Sequence, residues 1–364
     1  MLYQQRLFAL DNVRVFLILI VVAFHASAPY AEVPWYTIPP ETTPLTSVLL
    51  SWFLAVCAAF MLSLFFMISG YFTPFSYYRK GSTLFWKDRL MRLGIPLVVF
   101  FFGVMPLFTY LLCSIDGTVS PFWDFLSSEY HWETHHLWFL NNLLLFTGGY
   151  WIYHVSRFKP IKRLNNPGNS TILLFVIFIA LATFLVRIWY PIGEWDALKL
   201  VEPSYLPQFG GLFIAGILAY HHQWFKKVST SVGLTWLKIG FVTALLFPLI
   251  YLVGEGSYEV LRGGFSWQPF VFSVWESFIC VGFCVGLPIL FREKAATEKI
   301  GILAASTYAV YLIHLPVVVS IQRALVGVGM HPLIKVLIAI TGGLCLSFVI
   351  SHFLRKLPFV KKIL

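Results

Sequence analysis

The sequence predicts an all-α integral membrane protein, a polytopic bundle of about ten transmembrane helices with both termini in the cytoplasm. Three observations carry that expectation. Of 364 residues, 59% are hydrophobic and only 12% charged, with mean hydropathy +0.79, which leaves too little polar surface to cover a soluble domain of this size. The apolar residues gather into stretches of around 20, the length that about 30 Å of hydrocarbon demands of a helix. The basic residues fall mostly on one side of those stretches, as cytoplasmic loops require.

In chain order, the first stretch is 14–33, opening at Arg14. Arg6, the apolar run and Ala26-Ser-Ala28 imitate a secretory signal, but retaining the segment supplies the odd helix that the charge pattern needs. The second stretch, 47–72, ends in Phe65-Phe-Met-Ile-Ser-Gly-Tyr71, and the third, 93–113, lies behind Arg89-Leu-Met-Arg92-Leu-Gly-Ile-Pro96. The fourth, 136–155, starts within His135-His136-Leu-Trp138. There follow 171–190, the short 206–222, 233–253, 269–291 with Glu276, 302–322 with His314, and 333–354. Without a repeat, proline-rich linker or low-complexity tail, residues 1–364 read as one domain.

The net charge of +10 raises the question of nucleic acid, and its distribution answers it. Threading the chain with its N-terminus inside puts twenty-one of the 26 Lys and Arg at one face, from Arg6 and Arg14 to Lys361 and Lys362. Only Arg187, Lys199, Arg262, Arg323 and Lys335 fall at the other, whose loops hold acids such as Glu32, Asp116, Glu133 and Asp196. The partner of the basic face is the lipid bilayer, not nucleic acid. The five cysteines lie in or beside apolar stretches without metal-ligand spacing, so no metal site is expected.

Depth sorts the remaining polar residues into two layers. Arg14 and His25 are eleven residues apart, within about 20° of one azimuth on a helix and roughly 16 Å apart along it. Arg14, Ser69, Arg89 and Arg92 form the cytoplasmic layer. Guanidinium groups there suit phosphates; the positive-inside bias alone would also place them. The deeper layer holds His25 and His314, each eleven or twelve residues in, with Glu276 about seven residues down from the outer side. Two imidazoles and a carboxylate at one level suit proton transfer, although each histidine also has a plain role in bonding a neighbouring helix. His136 and Trp138 sit at the outer surface, either orienting an external substrate or anchoring the interface. Asp11 either caps the first helix or pairs with Arg14.

Leu10-Asp-Asn-Val-Arg14, followed by ten residues and His25, resembles the opening Arg-x10-His signature of the membrane acyltransferase-3 family. Further matches follow in order: Phe66-Met-Ile-Ser-Gly-Tyr71, Arg89-Leu-Met-Arg92 and Ser306-Thr-Tyr-Ala-Val-Tyr-Leu-Ile-His314-Leu-Pro316. His136-Leu-Trp-Phe-Leu140 and the segment from Glu276 to Arg292 are similar to a branch that modifies periplasmic glucans. The resemblance implies an acyltransferase of the bacterial inner membrane that O-acylates, with acetyl or succinyl, an extracytoplasmic glycan or lipid-linked saccharide. Acyl-CoA is then the co-substrate, held at Arg14, Ser69, Arg89 and Arg92, and no bound cofactor is expected. His25 becomes the base or acyl carrier, with Glu276 and His314 as further catalytic candidates and His136 and Trp138 on the acceptor. Many relatives add a C-terminal extracytoplasmic hydrolase-like domain, whereas this chain reads Lys361-Lys-Ile-Leu364 after its tenth stretch. Either the bundle transfers directly or a separate extracytoplasmic transferase completes the reaction. A proton-coupled secondary transporter is the rival, since intramembrane His and Glu suit it too; the internal symmetry usual in transporters is not visible.

Overall fold

The computed structural model describes residues 8–31, 33, 38–39, 41–115, 117, 119–156, 164–195, 199–295 and 301–363, Ile302 by its backbone only. Of the charges in the topology argument, Arg6, Glu32, Asp116, Arg157, Lys159, Lys162, Arg163, Asp196 and Lys299 lie outside the described residues, as does Leu364. The described residues are helices and their connections: α1 (Phe8–Ser27), α2 (Pro44–Arg89), α3 (Ile95–Val99), α4 (Met105–Ile115), α5 (Phe122–Asp124), α6 (Trp138–Val155), α7 (Asn169–Trp189), α8 (Leu206–His222), α9 (Trp224–Lys227), α10 (Thr230–Leu245), α11 (Phe247–Val253), α12 (Trp267–Lys294), α13 (Gly301–Ala324), α14 (Pro332–Leu354) and α15 (Val360–Ile363). Thr43 accepts from the Thr46 N–H ahead of Pro44, and Ser229 from the Val232 N–H, so both helix starts have an acceptor for an orphan donor.

Among the described residues six helices are long and apolar enough to cross a membrane, or seven if α10 and α11, bent by 47°, form one span. This is fewer than the ten expected. Two of the expected stretches fall short: α8 has 17 residues, and α6, with 18, carries Asn141, Asn142, Gly148, Gly149 and His154 among its apolar residues. Two others are merged, because Pro44–Ile115 is one helical run of 72 residues, far beyond what one crossing needs. That run turns back at Gly81, whose φ of 73° favours glycine. Either side of the turn, Tyr77 meets Phe85 at 5.4 Å between ring centroids and Lys80 pairs with Asp88 at 2.7 Å. The second arm contains two widened turns, Leu90–Gly94 and Phe100–Val104.

α12 runs through the bundle against α1, α2, α7 and α10, while α13 packs on both α1 and α14. Lipid is as apolar as a leucine side chain, so close packing has to hold such helices together. The α2–α8 seam supplies it: a Cβ on Gly70 would overlap the Phe213 carbonyl, and one on Gly216 the Met67 carbonyl. Gly70 of the Phe-Met-Ile-Ser-Gly-Tyr motif is therefore a packing residue. Phe66, beside it, packs its ring at 4.7–4.9 Å from Phe139 and Phe209.

Candidate active site

α1 and α13 lie side by side, and the helical period that carries Arg14 and His25 brings His25 to His314. His314 Nε2 is 3.1 Å from His25 Nδ1. The neighbours assign the protons. His314 Nδ1 lies 2.7 Å from the Tyr311 carbonyl, which can only accept, so the N–H is on Nδ1 and Nε2 is an acceptor. His25 Nδ1 faces that acceptor and also the Val21 carbonyl at 2.9 Å, so it must be the donor. A neutral His25 then carries its lone pair on Nε2, the form a general base requires.

A third imidazole joins them. Pro316 has no N–H to give the carbonyl four residues earlier, and His136 Nε2 takes that Leu312 oxygen at 3.0 Å. His136 is buried, its ring 5.1 Å from that of His314, and the Tyr311 hydroxyl donates to its backbone carbonyl. His25, His136 and Trp138 share the wall of a cavity of about 430 Å³ with Glu129, Tyr130, Glu133 and His135. Trp138 stacks on Phe209 at 5.8 Å and meets Trp195 edge-on at 5.5 Å.

Residues 130–138 are tied down at the cavity rim. His135 has φ 47° and sits 3.0 Å from Glu133 and 3.2 Å from the Tyr130 hydroxyl. Lys199 pairs with Glu133, and Thr134 donates to the Lys199 carbonyl at 2.6 Å. Burial alone would push the Glu133 carboxyl up, but His135 and Lys199 outweigh it and hold it at about 2, below its ordinary 4.5. A group depressed in the fold contributes stability above its unfolded value and loses it as pH falls towards the folded one. Protection from hydrogen exchange over 130–138, measured against the intrinsic rate at each pH, is therefore expected to fall between pH 4.5 and about 2, and Glu133→Gln to remove that transition. A transition that survives the substitution would assign it to other groups.

At the opposite end of α1, Arg14 pairs at 3.7 Å with Asp11, which lies within the first turn of the helix. Arg89 lies over the Phe85 ring and 3.5 Å from the Thr73 hydroxyl, which itself donates to the Ser69 carbonyl; the hairpin thus brings Arg89 to the Ser69 turn. Arg92 pairs with Asp88 at 3.2 Å. Pro96 leaves the Arg92 carbonyl without its helical donor, and the Tyr308 hydroxyl of α13 supplies one.

Glu276 is held elsewhere. Its carboxylate pairs at 2.6 Å with Arg187, the side chains 2% and 0% exposed, and Arg187 also reaches Ser273 at 3.3 Å and lies over the Tyr205 ring. Arg187 was not singled out from the sequence, although a buried acid needs a counterion.

A family model described as an acyltransferase domain, acyltransferase 3, matches residues 7–352. The chain belongs to the acyltransferase 3 family. Every residue of the candidate site just described, from Arg14 to His314, lies inside that match. The family match is joined by helices long and apolar enough to cross a membrane. Glucans biosynthesis protein C of Salmonella heidelberg (strain SL476) and that of Salmonella schwarzengrund (strain CVM19633) are each 28% identical over 251 residues, covering 62% of this chain and 61% of theirs. Glucans biosynthesis protein C of Salmonella typhi matches to the same extent. The chain spans about three-fifths of the length of the curated relatives it matches. No solved structure matches it.

Proposed function

We propose that this acyltransferase moves an acyl group, acetyl or succinyl, from cytoplasmic acyl-CoA to a hydroxyl of an extracytoplasmic glycan or lipid-linked saccharide, in a bacterial inner membrane. Counting the two arms about Gly81 separately, taking α10 with α11 and adding α6 and α8 makes ten crossings. An even number returns the C-terminus to the side of the N-terminus, and the basic loops put that side in the cytoplasm.

The observation that carries the reading is the 3.1 Å contact of His314 with His25, which lines a cavity. His314, fixed as an acceptor, holds His25 with its lone pair on Nε2. That nitrogen takes the proton of the acceptor hydroxyl as the oxygen attacks the thioester carbonyl. A C–O bond forms, the C–S bond breaks, and the CoA thiolate leaves and takes up a proton. Arg14, Arg89 and Arg92, with the Ser69 turn, hold the phosphates at the cytoplasmic mouth. His136 and Trp138 orient the acceptor, so transfer is direct and needs no separate extracytoplasmic transferase.

The test is purified protein in liposomes with acetyl-CoA or succinyl-CoA and a glucan oligosaccharide, the acceptor class suggested by the relatives' name. Acceptor-dependent release of free CoA thiol and one added acyl mass on the sugar are expected with no ion gradient. Sugar movement that needs a proton gradient and leaves its mass unchanged would replace this reading with transport.

A further inference from the structure

We infer that Gln322 is the positioning residue of the proposed base: its amide replaces a hydrogen bond that Pro29 denies to the end of α1, and so holds His25 in place for transfer. The inference rests on the proposed function for the role of His25 and adds the residue that aims it.

α1 ends at Ser27, so His25 lies in the last turn, where backbone carbonyls lack their usual donors. The donor for the His25 carbonyl would be the N–H four residues on, and residue 29 is a proline, which has none. Gln322 of α13 fills the gap. Its side chain is 0% exposed, and its Nε2 donates to the His25 carbonyl at 3.0 Å and to the Ala26 carbonyl at 3.1 Å. Both oxygens can only accept, so the amide must turn its NH2 end to them, one hydrogen for each. Pro96 and Tyr308 stand in the same relation at the Arg92 carbonyl, and Pro316 and His136 at that of Leu312. Each time, the proline four residues on frees a carbonyl that a distant side chain then takes.

α13 therefore grips His25 at two points, by the ring through His314 and by the backbone through Gln322. The first bond sets which ring nitrogen is bare. The second sets where that nitrogen stands, and a misplacement of about 1 Å can cost about 10²-fold in rate. Arg14 lies at the opposite end of α1, so a loosened His25 turn leaves the phosphate-holding layer as it was. The effect falls on kcat and spares the KM for acyl-CoA.

Two substitutions separate aim from packing. Gln322→Met keeps the reach of the side chain and gives up the donor. Pro29→Ala returns an N–H, which the tight turn Ala28–Ala31 directs back towards the freed carbonyls. In liposomes, at matched amounts of folded protein, Gln322→Met is expected to lower kcat about 10- to 100-fold and to leave the KM for acyl-CoA within about threefold of wild type. Gln322→Met/Pro29→Ala is expected to recover most of the lost kcat, which a loss of packing would not allow. NMR of isotope-labelled imidazole nitrogens, without any substrate, gives an independent measure. The His25 signal, identified by its absence from His25→Ala, is expected to show one fixed tautomer in wild type and in the double variant, and an average of two in Gln322→Met. A wild-type kcat in Gln322→Met, a loss that Pro29→Ala does not reverse, or a fixed tautomer in Gln322→Met would overturn the inference. Should Gln322→Met not fold, the double variant carries the test: folding with kcat recovered is expected, and no recovery overturns it. Failure of the proposed function shows differently, as wild-type protein with the fixed tautomer that never consumes acyl-CoA.

Discussion

His25→Ala is expected to lower acyl transfer about 10³-fold, the middle of the range that a positioned general base contributes, while the protein still extracts and folds. The expectation follows from where the protons sit. The Tyr311 carbonyl holds His314 in the tautomer that accepts, and with the Val21 carbonyl this leaves His25 with its basic nitrogen on Nε2. Alanine removes that nitrogen and buries no new charge. Acyl-CoA turnover in liposomes, compared at matched amounts of folded protein, measures the loss. A variant within threefold of wild type would take His25 out of the reaction and leave the three imidazoles as helix-to-helix contacts.

The second large effect is on stability. Arg187 and Glu276 are both almost fully buried and 2.6 Å apart, so removing either leaves an uncompensated charge. Breaking a buried pair of this kind costs about 3–5 kcal/mol, whereas replacing both partners with apolar residues of similar volume is often neutral. Arg187→Met and Glu276→Leu should each collapse the thermal midpoint in detergent, and the double substitution should recover most of it. Activity of the double variant then decides a separate point: near-normal transfer would make Glu276 a packing residue, and loss of transfer in a stable protein would restore it to the chemistry. Single variants as stable as wild type would contradict the burial of the pair.

Much of this was legible in the sequence, and the reasons are physical. The eleven-residue spacing of Arg14 and His25 fixes their common face by helix geometry alone, and counting residues from the charged ends brings His314 to the level of His25 without tertiary information. The limits of 206–222 and 333–354 coincide closely with α8 and α14 because polar residues bound both stretches. The reversal between 47–72 and 93–113 was expected, but not its place at Gly81, because the helix continues well past the apolar residues into charged ones on both arms. His136 was placed at the outer surface because it opens the fourth apolar stretch; its bond to a carbonyl 176 residues away cannot be read from the sequence. Glu276 was assigned to the histidines by depth, and depth does not give azimuth, so its pairing with Arg187 stayed hidden.

Pro316 has an unusual place in this arrangement. In most helices, exchanging an interior proline for alanine restores a backbone hydrogen bond and strengthens the helix. Here the regained N–H would compete with His136 for the Leu312 oxygen. A sturdier α13 would come with a looser imidazole, so the flaw in the rod is what keeps the ring pointed.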